Sequence, residues 1–79
     1  MKVRYVGKSF GIDGLTNGKV YEVLELDELT GALRIVDDSD EDYLYDPRSP
    51  KPFFVEGEYG RFEIVEDDSV GTLRRAILG

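Results

Sequence analysis

Two short β-type runs enclose a turn made almost only of acidic residues, and this feature constrains the fold more than any other. The first run is Leu33–Val36 and the second is Tyr43–Tyr45. The residues between them are Asp37, Asp38, Ser39, Asp40, Glu41 and Asp42. Because aliphatic and aromatic runs bounded by turn-forming residues are typical of strands, this segment predicts a β-hairpin.

Three further segments have the composition of strands. They are Val3–Val6, Lys19–Asp27 and Arg61–Val65. The second carries apolar residues on both faces, with Tyr21 on one and Leu24 on the other, which predicts a bent strand shared between two small sheets. A glycine-rich loop, Gly7–Gly18, precedes it and contains apolar residues of its own, so we expect this loop to fold back and pack.

The C-terminal residues predict a short helix that begins near Val70. Its candidate capping residues are Asp67, Asp68 and Ser69. Acidic side chains at its start, with Arg74 and Arg75 in its later turns, suit the helix dipole. Val70, Leu73 and Ile77 would then form one apolar stripe.

Five short strands, a long first loop and a short terminal helix predict a mainly β fold, a small SH3-like barrel. The chain of 79 residues is expected to form one domain, with the barrel over about 2–66 and a tail over about 67–79. An OB-type barrel also has five strands, but it usually has a helix between the third and fourth. Here a tight acidic turn takes that position, which favours the SH3-like alternative.

The chain contains neither cysteine nor histidine. Disulfides, thiolate metal sites and a Ser-His-Asp triad are therefore excluded, and a small enzyme is the least favoured class of function. A small domain without disulfides is more typical of the reducing cytoplasm than of secretion. The N-terminal residues do not resemble a signal peptide, and no apolar run approaches the roughly 18 residues of a membrane span.

The net charge of −7 is the strongest compositional bias. It disfavours direct binding to nucleic acid, because the surface would repel phosphate. Solubility alone is a sufficient explanation. A basic partner, a cation, or mimicry of the charge of DNA are the functional alternatives.

The acidic turn contains the pattern D-x-D-x-D at Asp38, Asp40 and Asp42, which is how a calcium-binding EF-hand loop begins. The rest of that pattern fails, because Tyr43 and Ser49 stand where the EF-hand has glycine and glutamate. The three aspartates are therefore only a weak metal-site candidate beside the simpler interpretation of a solvated turn. No cofactor is predicted.

Aromatic residues are numerous for so small a domain, and they suggest a surface groove. The candidate ligand-binding residues are Phe10, Tyr43, Tyr45, Phe54 and Tyr59. In SH3-like domains, aromatics beside the long first loop bind extended peptides, and nearby acids would select basic ones. The alternative is that most of these rings belong to the core. The leading hypothesis is a non-enzymatic module that binds a protein or peptide.

Two weaker hypotheses remain. The segment from Pro47 to Pro52 reads P-x-x-P-x-P with two cations, so it is either a stiff connector or a ligand for another SH3-like groove. A nucleic-acid-related role, as an acidic DNA mimic or as a regulator of a nucleic-acid-binding protein, is the alternative to the peptide-binding module.

Three motifs occur in order along the chain: GKVYEV from Gly18, VDDSDEDYLY from Val36 and FEIV from Phe62. Together they resemble a group of small uncharacterised bacterial and phage proteins with an SH3-like barrel. The resemblance covers roughly 18–66 and implies the barrel, but it implies no activity. The group usually has glycine at the position of Asp40, which implies a wider turn here, and the 47–60 segment is longer than in the group.

Overall fold

The computed structural model describes residues 1–7, 14–48, 50 and 60–79. The elements, in chain order, are β1 Lys2–Gly7, β2 Val20–Leu26, β3 Leu33–Val36, β4 Asp42–Tyr45, β5 Gly60–Glu66 and α1 Thr72–Ile77. The predicted mainly β class, the five strands and the short terminal helix are confirmed. No helix in these described ranges is long and apolar enough to cross a membrane.

All five strands pair antiparallel in one sheet with the order β4-β3-β2-β1-β5. This order places β4 and β5 at opposite edges. A closed barrel needs hydrogen bonds between its edge strands, and none joins β4 to β5 in the described part of the chain. The sheet is therefore open, and the predicted closed SH3-like barrel is not shown.

β2 is the strand that connects the two halves of the sheet. Its first residues, Val20–Glu22, pair with β1, and its later residues pair with β3. The register with β3 shifts between Val23 and Glu25. Such an irregularity is the feature that bends a strand and increases its twist. The predicted sharing between two small sheets is not shown, because all five strands belong to one sheet.

Alternating strand residues form the core on one face of the sheet. The buried strand residues are Val3, Tyr5, Tyr21, Val23, Leu33, Ile35, Tyr45 and Phe62. Leu15 joins them from the loop between β1 and β2, and Leu73 joins them from α1. The described end of the long loop therefore packs as predicted, whereas its residues 8–13 lie outside the described ranges.

The terminal helix begins later than predicted, after Gly71, whose φ of 75° is left-handed. Val70 is consequently outside the helix and 67% exposed, so the predicted apolar stripe is wrong at this residue, whereas Leu73 is fully buried. Two carboxylates hold the first turn, because Asp67 accepts the N–H of Leu73 and Asp68 that of Thr72, each at 2.9 Å.

Candidate functional site

The acidic turn between β3 and β4 is an ordered hairpin turn, as predicted. Its ends are closed by the N–H of Asp37, which donates to the carbonyl of Glu41 at 3.1 Å. Asp40 has a φ of 64°, the left-handed conformation in which glycine, asparagine and aspartate are favoured. Its N–H donates to the carbonyl of Asp37 at 3.1 Å. An aspartate thus fills the position that the resemblance assigns to glycine.

Asp37 is a buried acid at the start of this turn, with an exposure of only 6%. One carboxylate oxygen accepts the phenol of Tyr45 at 2.7 Å, and the other accepts the N–H of Ser39 at 2.9 Å. Burial, and then the hydrogen bond to Asp37, raise the pKa of Tyr45 well above its usual range. Tyr45, a predicted groove residue, is 4% exposed and therefore belongs to the core.

Asp38 joins the hairpin to the long loop and to β2. Its carboxylate accepts hydrogen bonds from the hydroxyl of Thr16 at 2.7 Å and from the phenol of Tyr21 at 3.0 Å. It also pairs with the ammonium of Lys19 at 2.5 Å. Burial raises the pKa of Asp38, but these donors, Lys19 foremost, outweigh burial and hold the pKa below its usual value. The carboxylate is therefore ionised at neutral pH and fully engaged.

The loop residues that reach Asp38 are positioned by a tight turn against β1. The N–H of Lys19 donates to the carbonyl of Thr16 at 3.1 Å, and Gly18, with a φ of 82°, supplies the left-handed residue of this turn. The N–H of Gly18 donates to the carbonyl of Tyr5 at 2.7 Å, and the N–H of Tyr5 returns a bond to Lys19 at 3.0 Å. The Asn-Gly pair thus fixes where Thr16 and Lys19 lie.

The three aspartates of the D-x-D-x-D pattern do not converge as a metal site. Asp38 is engaged by Lys19, and Asp42 accepts a hydrogen bond from Arg34 at 3.0 Å. Among the described residues no group of three or more acidic side chains could hold a metal ion. The turn therefore uses its carboxylates for internal bonds and for solvation.

Of the two predicted groove residues that the structure describes, Tyr43 is the accessible one. It pairs with Ile35 across β3 and β4 and is 50% exposed. Its phenol donates to the carboxylate of Glu41 at 2.9 Å, and this hydrogen bond raises its pKa. The exposed side chains of Asp40 and Asp42 lie in the same hairpin. The tip of the hairpin therefore presents an aromatic ring among carboxylates.

The remaining predicted groove residues, Phe10, Phe54 and Tyr59, lie outside the described ranges. Sequence reasoning missed the side chains that contact Asp38 from the loop and from β2. The sequence indicated these contacts only indirectly, through the expectation that the long loop folds back. The residues that meet at Asp38 are far apart in the chain, so no local pattern marks them. Tyr43 contacts the acidic turn through its hydrogen bond to Glu41, whereas Tyr45 is buried in the core.

A cleft of about 320 Å³ lies at the opposite end of β3 and β4. It is lined by Thr30, Gly31, Ala32, Asp46, Pro47, Arg48 and Ala76. The sequence did not predict this cleft. Its small residues leave room for an apolar group, but Asp46 and Arg48 carry opposite charges, so it has no clear preference for one ionic ligand.

Comparisons of the chain with protein-family models, with curated proteins and with solved structures find no match. The likeness to small bacterial and phage barrel proteins therefore stays a resemblance in three motifs.

Proposed function

We propose that the protein is a non-enzymatic, SH3-like interaction module that binds a cationic, extended segment of a partner protein beside Tyr43. The observation that carries the proposal is the exposed ring of Tyr43 among the carboxylates of a hydrogen-bonded hairpin. Lysine and arginine side chains favour such a site, because they pair with carboxylates and stack on aromatic faces.

The strand order supports the SH3-like part of the proposal. A long first loop followed by a three-stranded meander is typical of these barrels, and β2, β3 and β4 form such a meander. β2 also pairs with β1 over its first residues and with β3 over its later ones, and its register with β3 shifts between Val23 and Glu25, as in a strand that is shared between the halves of a small barrel.

The internal hydrogen bonds of the hairpin support binding without a large ordering cost. The carboxylates of Asp37 and Asp38 accept hydrogen bonds from Tyr45 and Thr16, which tie the turn to β4 and to the long loop. A preorganised surface loses less conformational entropy when a ligand binds. The side chains of Asp40 and Glu41 remain exposed and available to a partner's cations.

An amide NMR titration tests the proposal. A short peptide of alternating lysine and alanine should shift the resonances of residues 40–43, and added salt should weaken the effect, because exposed charges are screened. A peptide of the same length with glutamate in place of lysine should cause no shift. Shifts caused by a DNA duplex but not by the cationic peptide would instead favour the nucleic-acid-related alternative.

Two variants locate the binding surface. Tyr43→Ala should abolish or strongly weaken the shifts. Glu28→Gln removes one exposed acid from the turn at the other end of β3, so it is the matched control and should bind as the wild type does. Wild-type binding by Tyr43→Ala, together with weaker binding by Glu28→Gln, would show that only net charge matters and would contradict a site beside Tyr43.

A further inference from the structure

We propose that Asp38, Tyr21 and Thr16 form a subsite for an ammonium or guanidinium group, that Lys19 occupies it in cis, and that a cation of the partner segment displaces Lys19. The displacement rests on the proposed function, whereas the subsite itself does not. The proposal therefore concerns how the acidic hairpin is regulated by the chain's own lysine.

The subsite has the parts that recognise a cation. The carboxylate of Asp38 supplies the counter-charge at 2.5 Å from the Lys19 ammonium. The ring of Tyr21 supplies an aromatic face, whose centroid lies 5.5 Å from the same nitrogen, within the range of a cation–π contact. Thr16 and Tyr21 donate hydrogen bonds to the carboxylate and fix its orientation.

The two partners differ in how firmly they are held. The side chain of Asp38 is 13% exposed and is bonded by three side chains, whereas that of Lys19 is 56% exposed and, among the described residues, pairs with this one carboxylate. A lysine ammonium on a flexible, solvated stem loses little when it leaves an ion pair. The carboxylate of Asp38 is thus a fixed part of the subsite, whereas the ammonium of Lys19 can be replaced by another cation.

The position of the subsite connects it to the proposed binding surface. Asp38 belongs to the same hairpin turn as Asp40 and Glu41. Asp38, mainly through its hydrogen bond, raises the pKa of Lys19, and the charge of Asp40 adds to the effect. A partner cation approaching the hairpin therefore competes with Lys19 for the same field.

Chemical rescue tests the subsite without any peptide. In Lys19→Ala, n-butylammonium should fill the vacated position and return the amide resonances of Thr16, Tyr21 and Asp38 towards their wild-type values at millimolar concentration. The wild type should not respond to n-butylammonium, and neither should the double variant Lys19→Ala/Asp38→Asn. n-Butanol, the uncharged analogue, should not change the resonances of Lys19→Ala. Equal responses in the wild type and in Lys19→Ala would overturn the subsite.

Peptide affinity tests the displacement. Lys19→Ala should bind the alternating lysine peptide about three- to tenfold more tightly than the wild type. In the wild type, Lys19 competes with the peptide, so the apparent affinity is the intrinsic affinity multiplied by the fraction of molecules in which the site is unoccupied. Lys2→Ala is the matched control, since it removes the same charge from a pair with Glu66 at 3.9 Å on another part of the sheet. An equal gain in both variants would overturn the displacement.

The two tests separate the two proposals. If n-butylammonium rescues Lys19→Ala but the peptide binds neither protein, the cation subsite stands and the proposed function fails. If the peptide binds beside Tyr43 with the same affinity in the wild type and in Lys19→Ala, the proposed function stands and the regulation by Lys19 fails.

Discussion

The phenol of Tyr45 donates a hydrogen bond of 2.7 Å to the carboxylate of Asp37, and both residues are almost completely buried. Tyr21 makes the corresponding bond to Asp38 at 3.0 Å. Two consecutive aspartates of the acidic turn are thus each capped by a core tyrosine. The turn is therefore an extension of the core, and its outer side chains, such as those of Asp40 and Glu41, are exposed.

Removing the hydroxyl that caps Asp37 should destabilise the protein. Tyr45→Phe leaves a buried carboxylate with one donor fewer, and such a loss costs about 1–3 kcal/mol of the free energy of unfolding. Urea unfolding followed by circular dichroism measures this. Tyr43→Phe removes an exposed hydroxyl and should leave the unfolding midpoint unchanged. Equal midpoints for all three proteins would show that the bond to Asp37 contributes nothing.

Asp38 should make the stability depend on acid pH. Its pKa is lower in the folded state than the usual value of about 3.9, so the folded protein binds fewer protons there than the unfolded chain. Its contribution is therefore complete above the usual pKa and is lost as the pH falls through the lower, folded value. Between about pH 6 and pH 3, Asp38→Asn should lose less stability than the wild type. Asp67 and Asp68 are present in both proteins, so any difference between the two pH profiles in urea unfolding reports on Asp38. Parallel profiles would therefore contradict this prediction.

The terminal helix should contribute to the core mainly through Leu73, since Ala76 and Ile77 pack against the core but are only partly buried. Leu73 is fully buried, so Leu73→Ala should lower the free energy of unfolding by about 2–5 kcal/mol. Leu78 is 73% exposed, and Leu78→Ala should change it by less than about 0.5 kcal/mol. Thermal or urea unfolding of the two variants measures the difference. Similar small effects in both would mean that the helix does not pack on the sheet in solution.

The left-handed backbone at Asp40 should favour glycine over alanine. A φ of 64° is strained for a residue with a Cβ and unstrained for glycine. Asp40→Gly should therefore be more stable than Asp40→Ala by about 1 kcal/mol. Denaturant unfolding of the pair measures it, and both variants remove the same charge. An alanine variant as stable as the glycine variant would place this residue in another conformation.

Much of the fold was predictable from local pattern. The runs that became β3 and β4 have few alternatives, because a β-type run cannot continue through six polar residues. The irregularity in β2 falls in a run that carries apolar residues on both faces. The start of α1 was misplaced near Val70, because Gly71 adopts a left-handed conformation and the helix begins only after it.

The candidate site was predictable only in part, for a physical reason. The sequence by itself determined the hairpin, its charge and the neighbourhood of Tyr43, because these depend on residues adjacent in the chain. Only the tertiary structure decided that Tyr45 is buried, that Asp37 and Asp38 are internally bonded, and that Lys19 reaches the turn across 19 positions of sequence. Whether a carboxylate of the turn is exposed or accepts internal hydrogen bonds depends on contacts between segments distant in the chain. Composition and local residue spacing do not predict those contacts.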